Sequence, residues 1–400
     1  MILNFNDFKQ QLENELTNNI LSFWAKEVYN PKQKMFIGRI TNEGEKFDEA
    51  PLSAVFVSRI MWTFAAAYRV YPNNTYKNLA DEAFRILLEN FWDQENGGIY
   101  WSIFPDGKPE NTKKQFYAQA FFIYALSEYY IAFKIEKAKQ IAVSVFMLLE
   151  KYASDTEFGG YIEAKTTDWK DINDQRLSPK DLDVRKSMNT HLHILEAYTN
   201  LSRIYKSKQV KEQLEHLIQI FLDKIIDSKT GHLILFFDDD WTIRSKINSY
   251  GHNIESTWLL FDAAKELGDL EIIEDVQRVI LKTAAITAKE GLAKHGGIYY
   301  EKDGIYLSKH FHWWPQAEAV IGFFNVWQIS KTEKYLQFSL DGWEFIQKNI
   351  IDKKNGEWFW GVDENLNPLE EDKINSWKAP YHNARMCLEM ISRIESLGIK

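Results

Sequence analysis

One cysteine, nine prolines and no long apolar run are the scarcities of this 400-residue chain, and each excludes something. The lone Cys387 leaves no internal disulfide framework and suits a reducing compartment. No stretch approaches the roughly 20 apolar residues of a membrane-spanning helix, so no membrane partner is expected. The opening Met1-Ile2-Leu3-Asn4-Phe5-Asn6-Asp7 has no basic region followed by an apolar one, so it does not read as a signal peptide. A cytoplasmic location is the expectation. Basic residues are outnumbered, 48 Lys and Arg against 57 Asp and Glu, and form no stripe. Nucleic acid is therefore not expected as a partner. Neither a G-x-G-x-x-G fingerprint nor a P-loop occurs, so nothing calls for a nicotinamide or nucleotide cofactor. No Pro/Gly/Ser-rich linker interrupts the chain, and residues 1–400 read as a single domain.

Aromatic residues, by contrast, are abundant, at 15% of the chain with 14 tryptophans. They can fill a large helical core or present apolar platforms to sugar rings, and composition does not choose. The turns carry a repeat. Asp93-Gln94-Glu95-Asn96-Gly97-Gly98 has counterparts in Asp155-Thr156-Glu157-Phe158-Gly159-Gly160 and Asp227-Ser228-Lys229-Thr230-Gly231. Lys294-His295-Gly296-Gly297 and Asp352-Lys353-Lys354-Asn355-Gly356 continue the series, with a weaker first copy at residues 30–38. Each is a polar turn closed by glycine and followed by aromatic or β-branched residues, as for a tight turn entering a short strand.

Six copies at roughly 60 to 70 residues leave room for two ordinary helices between turns. Leu79, Ala83, Ile86, Leu87 and Phe91 fall at helical spacing, as do Leu214, Leu217, Ile218, Phe221 and Ile225. Segments 118–132 and 256–264 are apolar on more than one face and predict buried helices. Amphipathic helices alternating with nearly all-apolar ones predict an outer and an inner ring. The fold class is therefore all-α, an (α/α)6 barrel with short hairpin-like loops.

Several inner helices carry polar groups. Asn189, His193 and Glu196 share one face of a helix, being spaced i, i+4 and i+7. His191 lies about 200° around that helix from His193, which disfavours a His-x-His metal pair and leaves His191 bonded to a neighbouring turn. Gly251-His252-Asn253-Ile254-Glu255 opens another helix, with His252 and Glu255 as i,i+3 neighbours. Pro380-Tyr381-His382-Asn383 repeats the device, and Trp313-Trp314-Pro315-Gln316-Ala317-Glu318 is a third helix entry. Arg59 stands in an otherwise apolar run from Ala54 to Tyr68. Each alone reads as a satisfied polar group in a core. Together they gather at helix N-termini, where the dipole disfavours imidazolium and keeps a histidine able to accept a proton. A carboxylate such as Glu255 can hold an imidazole in one tautomer, though its charge pulls the pKa upward.

At these residues, together with Ser58-Arg59-Ile60 and Met188-Asn189-Thr190-His191-Leu192-His193, the chain resembles the N-acylglucosamine 2-epimerase superfamily, in its cellobiose 2-epimerase branch. The resemblance implies the same (α/α)6 barrel and an isomerase that inverts C2 of the reducing-end glucose of cellobiose, giving the mannose epimer through a cis-enediolate. It implies that His252 and His382 are the acid/base pair, that His193 serves ring opening and closing, and that Arg59 stabilises the enediolate oxygens. It assigns Tyr117, Asn189 and Glu255 to orienting the sugar or the histidines. Trp313, Trp314 and Trp377 fall to aromatic contacts, Glu318 to a hydroxyl contact, and Asp181 to the substrate site through a loosely matching neighbourhood. No cofactor and no metal are implied, the partner is a small sugar, and a monomer or weak homodimer is expected.

Segment 286–312 departs from the disaccharide pattern, which keeps a mannose 2-epimerase or an aldose–ketose isomerase of free monosaccharides as an alternative. Glycoside hydrolases also use (α/α)6 toroids, with two carboxylates for which Glu255, Glu318 and Asp181 are the candidates. Hydrolysis does not need a histidine pair, and a non-catalytic sugar binder does not need three histidines at helix entries.

Overall fold

The computed structural model describes residues 4–398; residues 1–3, part of the N-terminal stretch considered above, and 399–400 lie outside them. The helix α1 (Phe5–Asn14) runs through a π-helical turn, Glu15–Ile20, into α2 (Leu21–Glu27). There follow α3 (Ala54–Val70), α4 (Asn74–Ile86), α5 (Phe116–Phe133), α6 (Glu136–Tyr152), α7 (Met188–Ile204) and α8 (Lys208–Ile220). The chain ends with α9 (Tyr250–Leu267), α10 (Leu270–Gly291), α11 (Trp313–Ser330), α12 (Glu333–Phe345) and α13 (Tyr381–Ser396).

Burial sorts them into two rings. In α5 every side chain from Phe116 to Tyr129 is buried, whereas α8 buries only Val210, Leu214, Leu217, Ile218 and Ile220 on one stripe. The inner ring is α3, α5, α7, α9, α11 and α13, each packed on the next, with α13 closing against α3. Outer helices α4, α6, α8, α10 and α12 lie on their inner partners, and α1 lies on α13. The result is the (α/α)6 barrel read from the repeat. Four outer helices contain π-helical turns that the sequence pattern does not announce, and three of these turns lead straight into a glycine turn. Among the described residues no helix is long and apolar enough to cross a membrane.

The two ends of the barrel differ. Inner helices pass to outer ones through short links, such as Gly268 at φ 79° after α9, where the left-handed backbone suits glycine. Outer helices return through long excursions, all at the end where the inner helices begin. Each excursion opens with the repeated turn, closed by a bridge or strand pair: Trp92 with Ile99, Ser154 with Tyr161, Ile226 with Leu233, Leu292 with Ile298, Ile351 with Trp358, and Tyr29 with Phe36. In the second turn the Asp93 carboxylate accepts from the N–H groups of Glu95 and Asn96 at 3.0 and 3.1 Å.

Two devices tie these turns to the inner ring. Buried lysines in the segments leading to inner helices reach back to the turn aspartates: Lys114 to Asp93 at 2.8 Å, Lys186 to Asp155 at 2.6 Å and Lys373 to Asp352 at 2.5 Å. A polar side chain in the first turn of an inner helix also bonds the turn backbone. Gln119 and Gln316 both accept and donate, at Ile99 and Ile298 respectively, and Asn253 accepts the N–H of Leu233 at 3.0 Å. His191 belongs to this set. Its Nε2 accepts the Tyr161 N–H at 2.9 Å and its Nδ1 lies 2.7 Å from the Ser187 carbonyl, so Nδ1 carries the proton. Burial holds its pKa down at about 4, consistent with a neutral ring.

Candidate functional site

Because the inner helices start together at one end, equivalent positions on them form layers down the barrel axis. Side chains three or four residues apart stack along one helix face, about 5 to 6 Å per step. The first layer holds Tyr117 of α5, Asn189 of α7, His252 of α9, Trp314 of α11 and His382 of α13. One turn deeper come Arg59 of α3 with Phe121, His193, Glu255, Glu318 and Arg385, and beneath them Trp62, Tyr124, Glu196 and Trp258.

The two histidines of the first layer flank one indole. The Trp314 ring centroid is 4.6 Å from His252 and 5.7 Å from His382. Gly251 allows this approach, since a Cβ there would meet the Trp314 ring at 2.6 Å. Each imidazole is held at Nδ1, His252 by the Ser249 hydroxyl at 2.7 Å and His382 by Glu318 Oε1 at 2.7 Å. In both rings Nε2 is the free nitrogen. His193 is held the same way, with Nδ1 2.9 Å from Glu196 Oε2, and its ring packs on Tyr117 and Phe121 at 4.9 and 4.7 Å.

Arg59 donates to the Trp377 carbonyl at 2.7 Å and to the Tyr117 hydroxyl at 3.1 Å, and its guanidinium lies over Phe121. Its Nε is buried with no partner in the protein, so this cation retains an unused donor. Asn189 Oδ1 is likewise buried and unpartnered. Beside His252 a cleft of about 260 Å³ is walled by Asp181, Asn189, Tyr300, His312 and Trp360. The Asp181 carboxylate also accepts the Ser178 N–H at 2.8 Å. Trp377 packs on Trp101 and Tyr117 at 5.8 and 6.2 Å.

The centre of the second layer is a buried ionic cluster. Arg385 donates to Glu255 Oε1 at 2.8 Å, to Glu318 Oε1 at 2.6 Å and to Glu196 Oε1. Trp258 Nε1 donates to Glu318 Oε2 at 2.9 Å, and the Tyr381 hydroxyl donates to Glu196. Burial holds both His252 and His382 at a pKa of about 3. Glu318 opposes that shift at His382, while the neighbouring His193 and His382 deepen it at His252. Burial lowers His193 too, against the pull of Glu196. Within the carboxylate pair, burial and the charge of Glu318 push Glu255 upward. Burial also acts to raise Glu318, but Arg385 and His382 outweigh it and hold Glu318 ionised. Glu255, Glu318 and His382 bring donor atoms within 4.8 Å of one another, a grouping able in principle to ligate a metal ion. Arg385 already bonds both carboxylates, so a cation would have to displace the guanidinium.

Three sequence expectations need correction. Glu318 is fully buried and spends both oxygens on Trp258, His382 and Arg385, so it does not face a sugar hydroxyl. Glu255 does not hold His252; Ser249 does, and Glu255 faces Arg385. Trp313 is 3% exposed and packs on Trp360 at 4.3 Å, backing the wall that Trp314 presents. Sequence reasoning gave no role to Arg385, Trp258, Tyr381 or the partner contacts of Glu196. For Arg385, Trp258 and Glu196 a spacing of three from His382, Glu255 and His193 was the available signal; Tyr381, next to His382, offered none.

Comparison with known proteins agrees with this architecture. The family profile described as N-acylglucosamine 2-epimerase matches residues 36–385. The cellobiose 2-epimerase of Bacteroides fragilis is 44% identical over 387 residues, covering 96% of this chain and 98% of that protein. That of Dictyoglomus turgidum is 36% identical with the same coverage of both chains. The solved cellobiose 2-epimerase of Bacillus thermoamylovorans superposes with a TM-score of 0.94 at 34% identity, covering 97% of this chain and all 100% of that one. A D-mannose isomerase structure, at 20% identity and a TM-score of 0.85, shares the fold. With its profile match spanning most of the sequence and relatives this similar over nearly their whole length, the chain belongs to the N-acylglucosamine 2-epimerase family.

Proposed function

We propose that this protein is a cofactor-independent sugar 2-epimerase, the whole ring serving as one catalytic domain. Its substrate is the reducing-end glucose of cellobiose and related β-1,4-linked disaccharides. The observation that carries the reading is the pair His252 and His382 on either side of Trp314, each held at Nδ1 with Nε2 free. The substrate follows from relatives described as cellobiose 2-epimerases.

A proton alpha to an aldehyde is weakly acidic, so the sugar must first be opened and the developing oxyanion stabilised. His193, backed by Glu196, moves the proton between the ring oxygen and the anomeric hydroxyl. One histidine of the pair then takes the C2 proton at Nε2 as the enediolate forms, and Arg59 faces the negative charge with its unused Nε donor. The other histidine enters the step as the imidazolium, gives its Nε2 proton to the opposite face of C2 and leaves neutral as the first becomes charged, so the pair carries one proton throughout and the roles exchange for the reverse reaction. Glu318 under His382 favours its imidazolium, as a carboxylate behind a catalytic histidine does. The Ser249 hydroxyl both donates and accepts, so it accompanies His252 through either protonation state. Trp314 and Trp377 supply apolar faces for the sugar, and the Asp181 and Asn189 side supplies polar contacts.

The test is incubation with cellobiose and, separately, mannose in D2O, followed by NMR. Glucosyl-mannose carrying deuterium at C2 is the expected product. H252F and H382F are expected to stay folded and lose epimerisation. Wild-type activity in either variant refutes the two-base mechanism, and turnover of mannose alone moves the substrate to free monosaccharides.

A further inference from the structure

Arg385 is fully buried, is not accounted for by the acid/base scheme, and touches carboxylates from three different inner helices. Two of those carboxylates, Glu196 and Glu318, are the ones that hold Nδ1 of His193 and of His382. The two histidines sit on α7 and α13, so neither helix alone fixes their mutual placement. A planar guanidinium with donors in a rigid fork can anchor several carboxylates at set angles, which an ammonium cannot. We propose that Arg385 is a positioning residue that acts through Glu196 and Glu318 on His193 and His382 together, fixing both imidazole rings with Nε2 toward the sugar. This rests on the two-base reading of the site and deepens it.

The surroundings leave Arg385 little else to do. Its guanidinium lies over Tyr381 and Trp258 at 4.2 and 4.7 Å, so aromatic rings close the faces that carboxylates do not occupy. The titratable groups packed around it come from every neighbouring inner helix: Arg59 of α3, Tyr117 and Tyr124 of α5, His193 and Glu196 of α7, Glu255 of α9, Glu318 of α11, and Tyr381 and His382 of α13. Three glutamates share this cluster, and Glu255, whose pKa burial and Glu318 raise, is the one that holds a proton most readily. Arg385 is thus the charge that lets Glu196 and Glu318 remain carboxylates beneath the two histidines. Its own charge also lowers the pKa of both rings.

Two variants test the role, Arg385→Ala and Arg385→Lys, with kcat, KM and the pH profile of kcat/KM measured for cellobiose. In R385A the limb at which activity falls with decreasing pH is expected to move to higher pH, because the histidines lose a neighbouring positive charge and protonate earlier. Added guanidinium is expected to restore at least tenfold of the lost activity and return the limb. R385K, which keeps charge but not the fork, is expected to lose at least tenfold in kcat with KM within threefold, and it serves alone if R385A does not fold. R385K with wild-type kcat, or R385A with lowered activity but an unmoved limb and no rescue, overturns the proposal. Failure of the underlying reading shows separately, as absence of C2 deuterium in wild-type product.

Discussion

Glu318→Gln is an isosteric change that the structure says cannot be accommodated. Glu318 Oε1 accepts from Arg385 and from His382 Nδ1, while Oε2 accepts from Trp258 Nε1. Every neighbour is a donor. A glutamine offers one oxygen and one NH2 group, so one side of the amide must fail. With the oxygen toward Trp258, the NH2 meets Arg385 and donates to His382 Nδ1, forcing the proton onto Nε2 where the base is needed. With the oxygen toward His382, the NH2 abuts the indole N–H in a fully buried site. An unsatisfied buried donor costs about 1 to 3 kcal/mol, or about 5- to 150-fold in rate if borne in the transition state. A wrong-tautomer histidine costs up to about 10⁴-fold in the serine protease triad. E318Q should therefore lose about 10²- to 10⁴-fold in kcat with KM little changed, measured as initial epimerisation of cellobiose. Trp258→Phe in the E318Q background removes the competing donor and should recover about tenfold, because the amide oxygen can then serve His382. E318Q within threefold of wild type, or a double variant worse than E318Q, refutes the tautomer argument.

Lys114→Met leaves Asp93 buried without its cation, and the loss of stability by denaturant titration is expected at about 3 to 5 kcal/mol. The D93N/K114M pair should recover much of that, and a single-variant loss below about 1 kcal/mol would count against the staple. Gly251→Ala drives a methyl into Trp314 and should raise KM at least tenfold with the melting temperature nearly unchanged; an unaltered KM would show that Trp314 does not contact substrate. The pH profile of kcat/KM should show no fall on its acid side near 6.5, because burial holds His252 and His382 at about 3 and the histidine acting as base stays unprotonated well below neutrality. The same depression makes stability depend on pH. Each neutral histidine contributes above its unfolded pKa near 6.5, and that contribution drains away as pH falls toward about 3, by about 1.4 kcal/mol per pH unit per ring. H252F should therefore flatten the acid side of a stability–pH curve, and an unchanged slope would contradict this.

The fold was legible because its signals are local. A polar turn closed by glycine, opened by an aspartate in four of the six copies, marks each excursion within ten residues, and α5 or α11 declares itself inner by having no polar stripe. The first-layer histidines were legible for the same reason, sitting beside Gly251 or Pro380 at helix starts. The partnerships were not. Glu255 is three residues from His252 and was the natural candidate to hold it, yet the closing of the ring brings Arg385, 130 positions away, to Glu255 instead. Glu318 meets His382 across 64 positions and His193 meets Glu196 across three, and only the second is a one-helix relation. Helix periodicity says which side chains share a face; which faces meet at the barrel axis is set by the packing of all six inner helices.

The lysine–aspartate pairs at the turns bear on how such a protein diversifies. Each staple joins the two ends of an excursion, as between Asp155 and Lys186, where the enclosed loop carries Asp181 and one wall of the cleft. With both ends pinned, lengthening the loop costs only the slow logarithmic increase of closure entropy, about 0.6 kcal/mol per doubling. The walls of the cleft can thus be rewritten by insertion and deletion while the histidines below keep their places. On the proposed function, specificity and chemistry fall to parts of the chain that can change on separate evolutionary clocks.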